Sequence, residues 1–212
     1  MNINIEENKN TFIDLIMSVL PTSEAHILID KLANSDFFYA PASTRFHLCE
    51  PGGLCQHSLN VYYAAMLIDS VFKTNAPKRS IVLCSLLHDL CKVNVYAIEQ
   101  KNKKIYDPET LKTYPDYKIK HDRKGDFVWE TIDTYVYADE WPFGHGSKSA
   151  YLASKYISIT DDEAMAIRYH MGAYEEGDIK NCSKVFSTNK LALLIHMADQ
   201  YATNIMEVEN EG

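Results

Sequence analysis

No apolar run in this 212-residue chain approaches the ~20 residues needed to cross a bilayer, which sets membrane-spanning helices aside. The N-terminal stretch MNINIEENKN has neither the basic start nor the apolar core of a secretory signal, so a cytoplasmic location is expected. No C-x-x-C pair occurs, and the cysteines at positions 49, 55, 84, 91 and 182 are odd in number. That fits neither a disulfide framework nor a zinc ribbon; reduced thiols are expected, two of them buried. Basic residues are outnumbered, 21 Lys and Arg against 29 Asp and Glu, and the formal charge of −8 argues against a surface that wraps a long nucleic acid. A small anionic ligand in a local pocket is compatible with that charge. The chain has no internal repeat, low-complexity tract or Gly/Ser linker, and its length suits a single domain over residues 1–212.

The hydrophobic fraction of 46% is that of a globular protein with a real core. Apolar residues recur at three- and four-residue spacing over residues 11–20 and 23–33, which predicts two amphipathic helices separated by Pro21 within a helical scaffold over residues 1–40. The stretch FFYAPASTRFHLCEPGG reads as a loop. A helix over residues 54–72 follows, with His57, Val61, Ala64 and Ile68 on its inner face. Residues 80–91 are apolar nearly all round and predict a helix in the middle of the core. The stretches VNVYAIEQKNKKIYD, YKIKHD and FVWETIDTYVYADEW are rich in β-branched and aromatic residues and predict a small antiparallel or irregular extended insertion. Thr160 and Glu163 form a capping box that opens a short helix ending near Gly172. A last helix over residues 188–206 sets Ile195, Asp199, Ala202 and Met206 on one stripe.

These helices turn polar residues inward. His57, His88, Asp89, His145, His170 and Asp199 are all metal-ligand types, and a buried carboxylate is costly unless it is paired or bound to a metal. Two carboxylates among four histidines suggest one divalent cation or two, with Asp89 as the bridge. A His/carboxylate mixture suits iron, manganese, zinc, nickel, cobalt or magnesium better than calcium. The remaining polar residues read more simply. His196 is expected to support the cluster from outside it, His121 to lie in a solvated turn and His26 on a helix surface. Gly144 and Gly146 should allow a tight turn into a helix. The aromatics Tyr135, Tyr137, Trp141 and Phe143 read as core packing, with base stacking as the alternative.

His57, then His88-Asp89, then Asp199 resembles the metal signature of the HD-domain phosphohydrolase superfamily, and the added His145 and His170 resemble its binuclear branch. The stretches PGGLCQHSLNVY, LLHDLCKV, FGHGSKS, RYHMG and LALLIHMADQYA carry the resemblance over residues 43–206, and a similar arrangement occurs in the HD domain of bacterial 3′-to-5′ exoribonucleases. One departure is Cys91, where many relatives have glycine in H-D-x-G-K. The resemblance implies a mainly α-helical HD fold with the extended segments inserted between the HD pair and the later histidines. It also implies one metal on His57, His88, Asp89 and Asp199, and a second on Asp89, His145 and His170. With these comes cleavage of a phosphoester of a nucleotide or short oligonucleotide by a metal-activated hydroxide. Lys92, read as one helical turn beyond His88, would bind the substrate phosphate, and Arg45 and His47 would line the entrance. The same residue order occurs in inositol-oxygenase-like diiron oxygenases, and a non-catalytic metal- or nucleotide-binding regulator is a third class. Absence of an OB-type module favours a small phosphorylated substrate, with neither a membrane nor a long nucleic acid as partner.

Overall fold

The structure is a computed structural model that describes residues 3–45, 48–174 and 179–208. Its fold is mainly α, with a three-stranded antiparallel sheet inserted mid-chain, as the sequence predicts. By their internal contacts the residues divide into two compact units, 1–96 together with 138–212, and 97–137. No helix among the described residues is long and apolar enough to cross a membrane.

In the larger unit, α1 (Ile5–Val19) and α2 (Thr22–Ala33) precede α3 (Gly53–Phe72) and α4 (Lys78–Leu87). Helix α1 begins six residues earlier than its apolar periodicity indicates, because the Asn4 side chain caps it by accepting from the Glu7 amide at 3.2 Å. Helix α4 is the centre of the core. Ile81, Val82, Leu83, Cys84, Leu86 and Leu87 are all essentially inaccessible, and α4 packs on α1, α3 and two later helices, α7 (Asp161–Arg168) and α9 (Lys190–Tyr201). Full burial of each such side chain contributes roughly 1.5–3 kcal/mol. Phe12, Phe37 and Phe38 pack edge to face or tilted, with centroids 5.0–5.6 Å apart, and close the core beneath α1. Four cysteines are buried (Cys55, Cys84, Cys91 and Cys182), twice the expected number; all five are free.

The predicted helix over residues 80–91 stops early. Helix α4 ends at Leu87, Asp89 leaves the helical region at φ −106°, ψ 22°, and a 3₁₀ turn runs over Leu90–Lys92. Asp89 and Lys92 are therefore presented by a tight turn, not by a continuous helix. The predicted final helix is α9 (Lys190–Tyr201), continued by a π-helical turn over Ala202–Met206, and a separate helix that the sequence did not indicate, α8 (Ile179–Thr188), precedes it. Asn189 caps α9 by accepting from the Ala192 amide, which sets its start apart from the end of α8.

Between them lie α6 (His145–Tyr156) and α7 (Asp161–Arg168). Gly144 opens α6 at φ 77°, a conformation that favours glycine. Gly146 faces α7 so closely that a Cβ there would sit 2.0 Å from the Arg168 carbonyl oxygen. The two glycines thus serve a turn and a close helix contact, and between them they position His145. Helix α7 carries the predicted capping box: Glu163 accepts from the Thr160 amide at 2.8 Å, while Thr160 Oγ1 accepts from the Glu163 amide.

The smaller unit holds β1 (Tyr96–Ile105) from its second residue on, α5 (Pro108–Leu111), β2 (Lys120–Asp122) and β3 (Gly125–Tyr137), in the sheet order β1-β3-β2. Strands β2 and β3 pair as a hairpin with Lys120 opposite Phe127 and Asp122 opposite Gly125. Only Phe127 and Val128 are fully buried in it. Lys104 lies over the Phe127 ring at 4.2 Å.

Candidate metal centre

Three overlapping groups of side chains in the larger unit can hold a metal ion: His57 with His88 and Asp199, His88 with Asp89 and His170, and Asp89 with Cys91 and His145. The six residues singled out from the sequence are thus brought together from the first turn of α3, the end of α4, the start of α6, the end of α7 and the last turns of α9. His57, His88, Asp89, His170 and Asp199 are each at most 4% exposed.

The ring nitrogens point in an ordered way. His88 Nδ1 lies 2.8 Å from the Ser85 carbonyl oxygen, and His170 Nδ1 lies 2.7 Å from that of Ile167. A carbonyl only accepts, so each Nδ1 carries the proton and each Nε2 faces the cluster. His57 Nδ1 meets the Glu207 carboxylate at 2.9 and 3.1 Å. Its Nε2 lies 3.2 Å from Asp199 Oδ1 and 3.5 Å from Asp89 Oδ2. His88 Nε2 is 3.5 Å from the same Asp89 Oδ2. On the other side, Asp89 Oδ1 lies 2.8 Å from His145 Nε2 and 3.5 Å from His170 Nε2. Each oxygen of Asp89 therefore serves a different pair of histidines.

The fit to a cation rests on one atom in particular. His170 Nε2 is buried and has no hydrogen-bond partner among the described residues, although its ring is held in place from the other nitrogen. Burying a polar atom without a partner costs about 1–3 kcal/mol. A lone pair so oriented, beside a carboxylate oxygen, fits a divalent ion. The outward Nδ1–H bonds to a carboxylate and to main-chain carbonyls are those that set metal-ligating histidines.

The protein stores the opposing charges as protons. Burial disfavours a charged His57, but the hydrogen-bonded carboxylates of Asp199 and Glu207 outweigh it and raise its pKa to about 10. His145 is likewise opposed by burial, yet Cys91 and Asp89 lift it to about 9. Burial also opposes ionisation of Asp89; Lys92, His88 and His145 overcome it and hold the carboxyl well below its ordinary range. Lys92 Nζ reaches Asp89 Oδ2 at 2.7 Å across the 3₁₀ turn, with its side chain 14% exposed.

Arg45 is exposed in the loop before α3, and His47 lies outside the described residues. His196 approaches without joining: its Nδ1 meets the His170 carbonyl oxygen at 2.6 Å, and its ring stacks on Phe186. His121 pairs with Asp126 on the exposed hairpin, and His26 is exposed on α2. Trp141 and Phe143 are not core residues; they are 43% and 47% exposed and stack on each other at 5.2 Å.

Sequence reasoning missed Glu207 and the support it receives. Asn60 Nδ2 donates to Glu207 Oε1 at 2.8 Å, and Gln56 in turn donates to Asn60. The helical stripe ends at Met206 in the sequence reading. The π-helical turn, closed by the Glu207 amide donating to the Ala202 carbonyl at 3.0 Å, shifts the register so that Glu207 is the inward residue. No comparison gives the chain a family: family models, curated proteins and solved structures return no match.

Proposed function

We propose that this cluster binds two divalent cations and that the protein is a phosphohydrolase of the HD type, cleaving a phosphoester of a nucleotide or short oligonucleotide. The observation that carries the metal reading is the division of labour at Asp89, whose Oδ2 faces His57 and His88 while Oδ1 faces His145 and His170. One position would be held by His57, His88, Asp89 and Asp199, the other by Asp89, His145 and His170. Divalent ions in such positions supply Lewis acidity toward a phosphoryl oxygen and acidify water. The chain's own residues do the rest. Ser85, Ile167 and Glu207 fix the ring orientations, and the buried walls keep bulk water from competing for the carboxylates. Lys92 adds an ammonium group beside the histidines and Asp89. Burial opposes its charge, but Asp89 raises its pKa. Its partial exposure suits it to bind and orient a phosphate. Substrate class rests on the resemblance in the residue pattern, and the formal charge of −8 argues against a long nucleic acid.

The test joins elemental analysis of the purified protein to a phosphate-release screen over nucleotides, cyclic dinucleotides and short oligonucleotides, run without oxygen after reloading with manganese. We expect two metals per chain, anaerobic cleavage, and loss of both in Asp89→Ala. Lys92→Ala should keep its metals and lose turnover. Oxygen-dependent conversion of a polyol seen only with iron, with no ester cleavage, would replace this reading by the diiron oxygenase. Bound metal with no turnover on any substrate would leave a regulator.

A further inference from the structure

Helices α3 and α9 carry almost no charge. In a chain that is 24% charged, residues 53–72 and 191–206 contain no Lys, Arg or Glu. Their two aspartates are both engaged: Asp199 belongs to the metal cluster, and Asp69 accepts from the Thr74 amide at 3.0 Å and from the Thr74 hydroxyl. Yet neither helix is buried all round. On α9 and the π-helical turn, Leu193, Met197, Tyr201 and Ile205 recur every four residues and are 37–61% exposed. On α3, Tyr63, Leu67 and Val71 are 49–64% exposed. A surface helix turns charged and polar residues away from the core. Here the outward rows are apolar.

The two rows border each other. Helix α3 packs against α9, and Asn60, which shares its side of α3 with Tyr63, Leu67 and Val71, reaches Glu207 just beyond Ile205. The α3 row therefore starts where the α9 row ends. With about half of each side chain in water, the two rows together expose roughly 600 Å² per chain. That is at the upper end of the apolar patches found on monomers, and it approaches the ~800 Å² that each partner contributes to a standard interface. Gln200 and Asn204, polar but uncharged, flank the α9 row as an interface rim would.

We infer that this face binds a second copy of the chain about a two-fold axis, so that the protein is a homodimer joined through α3 and α9. A two-fold interface lays the same face on itself, and any charge near the axis would meet its own like. Two copies that each carry a formal charge of −8 repel, so they can approach closely only where that charge is absent. The α3–α9 face meets that condition. A partner of different sequence would be selected by complementary charge, and this face offers none to complement. The four-residue row on α9 is also a ridge of the kind that seats in the matching groove of a symmetry mate.

Sedimentation velocity of the full-length protein across a micromolar concentration range tests the pairing. We expect the wild type to sediment at twice its chain mass. Met197→Glu and Leu67→Glu bring like charges together across the axis and should each weaken association by about 100-fold or more. Their helical circular dichroism should be unchanged, because both side chains are exposed. Ile27→Glu, at an exposed position on α2, should leave the dimer intact. A wild type that stays monomeric throughout the range overturns the inference. So does a dimer that Met197→Glu and Leu67→Glu leave as tight as the wild type, or one that Ile27→Glu weakens as much as they do. The two rows are tested separately, so if one variant folds poorly the other still decides.

Discussion

The side chain that most rewards attention is Glu207, because it acts on a histidine it does not resemble in any sequence pattern. Its carboxylate holds His57 Nδ1–H and is itself held by Asn60, so the His57 ring has one orientation. Replacing the charge while keeping the shape should loosen that ring and make its Nε2 a weaker base. We expect Glu207→Gln to lower metal affinity by roughly 10–100-fold, the range for such supporting carboxylates, with the helical circular dichroism unchanged. Titration of the metal-free variant with zinc measures it, and an unaltered affinity would assign Glu207 to folding alone. Asp89 differs in kind: both of its oxygens are engaged with histidines, so no neighbour can substitute for it.

Among the helices, α7 shows how a local cap becomes a tertiary joint. Glu163 closes the capping box and also accepts from Arg79 at 2.5 Å and from the buried Ser80 hydroxyl at 2.8 Å, binding the start of α7 to the start of α4. Burial alone would raise the Glu163 pKa, but the Thr160 amide, Ser80 and Arg79 together hold it below its ordinary 4.5. A depressed carboxyl contributes stability that is present above the unfolded-state value and is lost as pH falls below 4.5 toward the folded one. Glu163→Gln should cost about 1–3 kcal/mol at pH 7, lowering Tm by roughly 2–4 °C per kcal/mol in a chain of this size. Between pH 4.5 and 3, its Tm should fall less steeply than that of the wild type. Thermal melts of both proteins across that range would refute the linkage if the two slopes coincide.

Over the whole molecule, the inserted sheet and the helical unit have separate internal contacts, and the insertion leaves and returns at one place. The Ala138 amide donates to the Val95 carbonyl at 2.8 Å, so the two ends of the excursion are adjacent within the larger unit. Every residue of the metal cluster lies in that unit. Replacing residues 97–137 by a short Gly/Ser bridge should therefore leave the helical fold and the metal content intact, since closing a shorter loop costs less entropy. Near-ultraviolet circular dichroism with elemental analysis checks this. Loss of metal would mean that the sheet contributes to the centre.

What the sequence determined by itself follows from local rules. Periodicity marks the buried faces of α3 and α9 and the all-round burial of α4; the Thr160/Glu163 spacing marks a helix start; β-branched and aromatic density marks the inserted strands. Four of the six cluster residues are legible from helix periodicity, since a buried charge on an apolar face needs an explanation, and the resemblance adds His145 and His170. The tertiary structure alone decided the rest. Lys92 reaches Asp89 because a 3₁₀ turn replaces the expected helix, and Glu207 reaches His57 because a π-helical turn shifts the register, both departures set by packing and invisible to a 3.6-residue period. Cys91 meets His145 across 54 residues of chain. Such a contact depends on how α4 and α6 pack, and sequence spacing carries no record of it.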